Sequence, residues 1–171
     1  MPMSERVEYT EYKIVLPIPS RQPPGHIAGL GDIFPAGFDM PLWCVAMPWF
    51  AISKHITYAQ LSAEIASVTL GLSVTHISLI SERPGIFQGK PVHFVVKEPE
   101  LLQLHSDLYN ILVRYNCAPQ SMQGIAGSYD PYVYDRPKEI FPPGLRYNAK
   151  SILIVERDGL GNINVLEEQF F

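Results

Sequence analysis

LWCVAMPWFAISKHITYAQLSAEIASVTL (42–70) is the stretch on which the fold turns. Its first part, LWCVAMPWFAI (42–52), is apolar and β-rich and reads as a buried strand interrupted at Pro48. KHITY (54–58) reads as a short strand: residues two apart on a strand share a face, so His55 and Thr57 project together while Ile56 packs behind them. In AQLSAEIASVTL (59–70), Leu61, Ile65 and Val68 recur on one helical face, and Gly71 offers a C-cap.

Outward from this stretch the chain alternates short elements. Upstream, YKIVLPIP (12–19) is a strand whose prolines end the ladder. Residues 20–41 form a Pro/Gly-rich loop, with a helical turn at 27–34 suggested by Ile27, Leu30 and Phe34. Downstream, SVTHISLIS (73–81) and GKPVHFVVKE (89–98) are two β-rich runs joined by a loop, ERPGIFQ, and pair antiparallel. PELLQLHSDLYNILVRYN (99–116) is the clearest helix, with Pro99 in its first turn and Leu101, Leu104, Leu108, Ile111, Leu112 and Tyr115 in one stripe. After residues 117–129 come PYVYDR (131–136), AKSILIVERD (149–158) and INVLEEQFF (163–171). The last two make a hairpin over GLGN, where Gly159 and Gly161 can take positive φ. The order predicts an α+β fold of mostly antiparallel sheet.

Composition sets the bounds. A chain of 171 residues, 47% hydrophobic, builds one sizeable core, so residues 1–171 are expected to be a single domain with 20–41 as a loop insertion. Thirteen basic against seventeen acidic side chains leave a net charge of −4, which supplies no global field for a nucleic-acid backbone. Any such partner must be held locally. Cys44 and Cys117 lack C-x-x-C spacing and read as buried reduced thiols, which suits the cytoplasm. No run of about 18 apolar residues occurs, so neither a signal peptide nor a membrane partner is expected. GLGDIF (29–34) lacks the third glycine of a dinucleotide fingerprint, and neither a P-loop nor a G-x-S-x-G elbow is present. Five scattered histidines without i, i+4 or cysteine partners define no metal site, and no cofactor is expected.

The order of these pieces resembles the 2H phosphoesterase superfamily, which includes the bacterial RNA 2',3'-cyclic phosphodiesterases once called 2'-5' RNA ligases. Its signature is a pair of His-x-Thr/Ser motifs, each on a strand of one of two pseudo-symmetric lobes, facing each other across a central groove. HITY (55–58) fits the first motif. PYVY (131–134) falls where the second, Pro-His-x-Thr, belongs, and the resemblance covers roughly residues 42–171. It implies that His55 and Thr57 face Tyr132 and Tyr134 as the catalytic positions, with Arg136 and Lys54 binding phosphate. In the family's metal-free mechanism one imidazole takes a proton from the attacking water or hydroxyl, the other protonates the leaving oxygen, and the hydroxyl residues hold the phosphate.

Here the second motif departs from the pattern, because a phenol with pKa near 10 is a poor base at neutral pH. Losing one acid–base partner costs about 10² to 10⁴ in rate. His76 with Ser78 is an alternative His-x-Ser pair, whereas His93 and His105 read as structural. Three expectations follow. The first is hydrolysis of a phosphodiester or cyclic phosphate in an RNA end, cyclic nucleotide or short oligonucleotide; the second is binding of such a ligand without turnover. The third is a structural protein using the apolar stretch 33–50, with Trp43 and Trp49, as a partner surface.

Overall fold

A computed structural model describes residues 10–21, 24–26, 28–37, 41–123, 125–134, 144 and 146–171. The first element among the described residues is β1 (Glu11–Pro17), buried from Tyr12 to Leu16. A small ribbon follows, β2 (Ser20–Arg21) against β3 (Pro24–His26), then β4 (Ile33–Phe34). The helical turn expected at 27–34 is not formed: Ile33 and Phe34 lie extended against the C-terminal strand, with Ile27 outside the described residues.

The stretch 42–52 is the strand β5 (Trp43–Ala51), paired antiparallel with β1. Residues 42–47 and Phe50 are buried, so this part of the 33–50 stretch is core, whereas Ile33 and residues 35–37 are exposed. The ladder slips twice, once on either side of the pair Ile14↔Met47. Such bulges re-aim side chains. Here Ala46 and Met47 both enter the main core, while Pro48 and Trp49 both reach the opposite side of the sheet.

KHITY is not a strand. Lys54 and His55 form a turn, and Thr57 is the N-cap of α1 (Tyr58–Gly71). Its hydroxyl accepts from the Gln60 amide at 3.2 Å, while the Gln60 side chain accepts from the Thr57 amide at 2.9 Å. This reciprocal capping box satisfies helix donors that would otherwise be orphaned. Leu61 and Ile65 are buried as expected, but Gly71 is the last helical residue and the cap falls on Leu72.

β6 (Ile77–Phe87) runs straight through the expected loop ERPGIFQ. The turn shifts to Gln88–Gly89, whose φ values of 49° and 76° match the two-residue hairpin connections that need positive φ, and β7 (Lys90–Val95) returns. Gly85 makes this pairing possible: a Cβ there would lie 2.3 Å from the Phe94 ring. Helix α2 (Pro99–Arg114) follows the predicted bounds closely, with Pro99 in its first turn and Leu101, Leu104, Leu108, Ile111 and Leu112 buried.

The remainder is strand: β8 (Ala118–Pro119), β9 (Tyr132–Tyr134), β10 (Arg146–Ala149), β11 (Ser151–Arg157) and β12 (Ile163–Phe170). The β11–β12 hairpin forms over GLGN, with Gly161 but not Gly159 at positive φ. Among the described residues two main sheets result, β4-β12-β11-β1-β5-β8 and β10-β6-β7-β9, with every pair antiparallel. The main core joins α1 and α2 to one face of β1, β5 and β11 and to residues of β6, β7 and β9. A second apolar cluster lies on the other face of the first sheet, around Val15, Trp43, Leu153 and Val165. A third joins Val45 of β5 to Phe87, Val92 and Tyr132, and so ties the two sheets together.

Candidate functional site

The site grows from β9. Its alternation sends Val133 into the main core and Tyr132 and Tyr134 to the other face, where Phe94 and Val92 stand opposite them on β7. Across from β9 lies β5, and there Tyr132 meets Val45. Between the strands is a narrow cleft of about 20 Å³, walled by Lys13, Pro48, Trp49, Tyr132 and Tyr134, with Gln120 and Ser121 from the segment after β8.

Tyr132 is 3% exposed. It stacks on Phe87 at 4.5 Å and meets Tyr134 edge-on at 5.1 Å, with the two hydroxyls 3.4 Å apart. Burial, then the neighbouring Tyr134, pushes its phenol far above the ordinary value. It therefore remains protonated at neutral pH, a donor and not a base.

Lys13 is the residue that sequence reasoning missed. It interrupts the apolar run of β1, it is 7% exposed, and it points away from the main core. Its ammonium lies 4.9 Å from the Trp49 ring centre and 5.4 Å from that of Tyr134. Lys90 lies 5.8 Å from the Tyr134 ring centre as well, and the Arg157 guanidinium 4.4 Å from that of Trp49. The result is a cluster of three cations, Arg157, Lys13 and Lys90, around the rings of Trp49 and Tyr134. Such faces attract cations through the ring quadrupole. Arg157 is also paired with Glu11 at 3.0 Å; among the described residues no carboxylate is paired with Lys13. Burial first, then the charges of Arg157 and Lys90, lowers the Lys13 ammonium from 10.5 to about 7. The available signal was a lysine amid β-branched residues, where a charge is almost never buried without a reason.

The expected first motif stands elsewhere. His55 and Thr57 are exposed, and Ile56 between them belongs to the helix-side core, whereas Tyr132 packs on the other face of β5. The His55 amide donates to the Ser53 hydroxyl, which itself donates to the Tyr115 carbonyl at the end of α2. Lys54 is exposed in the same turn. None of the three lines the cleft. The capping box accounts for the placement: Gln60 claims the Thr57 backbone and starts the helix before a strand can form. Arg136 lies outside the described residues.

His76 and Ser78 line a different, open depression beside Arg146 and Glu98, with the Ser78 hydroxyl on Asn148. His93 is buried on β7 opposite Val133, on the face turned from the cleft. His105 is a bolt in the core. One ring nitrogen meets the Ala46 carbonyl at 2.6 Å, the other accepts from the Ala126 amide at 2.9 Å, and its ring stacks on Tyr129. No described histidine side chain therefore reaches the cleft. Among the described residues no group of three or more His, Cys, Asp or Glu side chains is placed to hold a metal ion, and no helix is long and apolar enough to cross a membrane.

Two antiparallel sheets with two helices, facing each other across a cleft through β5 and β9, define a 2H phosphoesterase-like fold. Among solved structures the chain is similar to a phosphoesterase, at 13% identity over 96% of this chain and 99% of that one, with a TM-score of 0.57. It is likewise similar to E. coli LigT complexed with 3'-AMP, at 14% identity over 96% and 98% with a TM-score of 0.53. LigT complexed with ATP gives 13% identity over 96% and 99%, with a TM-score of 0.51. Identities this low carry the fold alone. No family model matches the chain, and no curated protein matches it in sequence.

Proposed function

We propose that the chain binds a phosphate-bearing ligand, a nucleotide or RNA end, at the Lys13 cleft and does not perform two-histidine hydrolysis. The observation that carries this reading is the Lys13 ammonium beside Trp49 and Tyr134, with Arg157 and Lys90 at the same two rings. A cleft of about 20 Å³ admits about one water-sized group, so it takes a phosphoryl oxygen and not a base. The similarity to LigT structures complexed with 3'-AMP, NADP+ and ATP supports the ligand class. The absence of hydrolysis rests on the composition of the facing strands: β9 presents two phenols, and β5 presents Val45 and Trp49.

A second reading keeps turnover, with Lys13 as the acid–base group, and is favoured by an amine that titrates at about 7. Two assays separate the readings: hydrolysis of 2',3'-cyclic AMP, and calorimetric binding of 3'-AMP, each on wild type and Lys13→Met. The first reading predicts binding that Lys13→Met weakens by about tenfold or more, since charge-assisted contacts are worth ~1.5–3 kcal/mol, and no turnover. Turnover that disappears in Lys13→Met establishes the second. Neither binding nor turnover in wild type overturns both.

A further inference from the structure

The rim of the Lys13 cleft is rich in amides. Gln88 borders it from the turn between β6 and β7, and Gln120 and Gln123 border it from the segment after β8. Backbone geometry fixes both carriers. Gln88 stands at φ 49° in the hairpin turn. The Gln120 amide donates to the Trp49 carbonyl at 2.9 Å, which ties its segment to β5, and the Gln123 amide donates to the Ser121 hydroxyl at 3.1 Å.

The other described glutamines are used by the fold. Gln60 closes the α1 capping box, Gln103 donates to Asp107 one turn along α2, and Gln169 donates to the Ser62 carbonyl and to Glu167. The three at the cleft are exposed, and among the described residues their side-chain amides bond to no other group. Every described glutamine whose side chain is left over from the fold therefore stands at one opening.

The chemistry of that rim narrows what it can read. Base edges are distinguished by their donors and acceptors: Arg or Lys pairs with O6 and N7 of guanine, Asp or Glu accepts from N4 of cytosine, and Gln pairs with N6 and N7 of adenine. Among the described residues lining the cleft, Lys13 is the sole cation, and no carboxylate is present. Lys90 and Arg157 approach the rings of Tyr134 and Trp49 but do not line the cleft, and Arg157 is held by Glu11. With Lys13 engaged by phosphate, the amide is the partner that remains, a donor and an acceptor on one planar end. The cleft of about 20 Å³ is too small for a base, which leaves the base at the rim, where the glutamines are.

We propose that Gln88, Gln120 and Gln123 are specificity-determining residues that select an adenine base on the nucleotide whose phosphate Lys13 holds. The proposal rests on the phosphate reading of the cleft and adds the identity of the base. The test is calorimetric binding of 3'-AMP and of 3'-inosine monophosphate, whose ring carries an oxygen acceptor in place of the N6 donor. The proteins are wild type, Gln88→Met, the double variant Gln120→Met/Gln123→Met, and Lys13→Met, with circular dichroism to verify folding. Methionine keeps the length of glutamine and removes its hydrogen bonds. Wild type is expected to bind 3'-AMP about tenfold more tightly than the inosine nucleotide, the size expected for one bidentate contact. In at least one of the two glutamine variants that ratio falls to about one. Equal affinities in wild type, a preference for the inosine nucleotide, or a preference for 3'-AMP that survives in both glutamine variants overturns the proposal. If binding is then still weakened by Lys13→Met, the phosphate reading stands without it. No binding of either nucleotide to wild type overturns both.

Discussion

Lys13 concentrates the cost and the use of the site in one side chain. Removing an ammonium from water is unfavourable unless it is compensated, and two ring faces compensate only in part, so its proton is held more loosely than in water. The sign of the consequence is fixed. Between about 7 and 10.5 the unfolded chain carries a proton on this lysine that the folded chain does not, so the Lys13 contribution makes stability rise with pH across that window. Below about 7 both states are protonated and the slope vanishes. Chemical denaturation at several pH values is expected to show wild type gaining on Lys13→Met, on the order of a few kcal/mol in total. Parallel profiles for the two proteins would refute the buried-amine account. Ligand binding runs the other way: an anion beside Lys13 favours the charged amine, so affinity for phosphate falls as pH rises through about 7.

At the scale of elements, the same five letters supported two structures. KHITY alternates as a strand would, but Thr57 and Gln60 also spell a cap three residues apart before an apolar helical face, and the cap prevails. The energetic consequence is modest: Thr57→Ala is expected to cost about 1 kcal/mol of stability in denaturant titrations while leaving 3'-AMP affinity unchanged. A loss of affinity without a loss of stability would return Thr57 to the site. By contrast, α2 was legible from its stripe alone, because six apolar positions at helical spacing admit no strand reading. Its core is where stability resides. Leu108, 1% exposed, should cost about 2–5 kcal/mol when truncated to alanine, read as a lowered denaturation midpoint with an unchanged slope. The β6–β7 turn was misplaced because Pro84 and Gly85 look like breakers. In the strand, Gly85 is required by the Phe94 ring above it, and a proline is tolerated where its nitrogen is not needed by the ladder.

At the scale of the molecule, the order of elements carried the fold, since sequential antiparallel strands and short connections leave few topologies. The tyrosines of PYVY lie on β9, the strand that lines the cleft. The strand opposite was assigned one element too late: β5, not the segment after it, meets β9, and its Val45 and Trp49 gave no chemical signal to read. Nor could spacing reveal Lys13, which reaches the cleft from β1 only because antiparallel pairing with β5 lays the first strand beside it.

The central claim is that a phosphate-bearing ligand is held where β1, β5 and β9 converge. Chemical-shift mapping with 3'-AMP tests it most directly. The account predicts shifts at Lys13, Trp49, Tyr132 and Tyr134 that are lost in folded Lys13→Met. Shifts that avoid these four residues and gather instead at Lys54, His55 and Thr57 would contradict it.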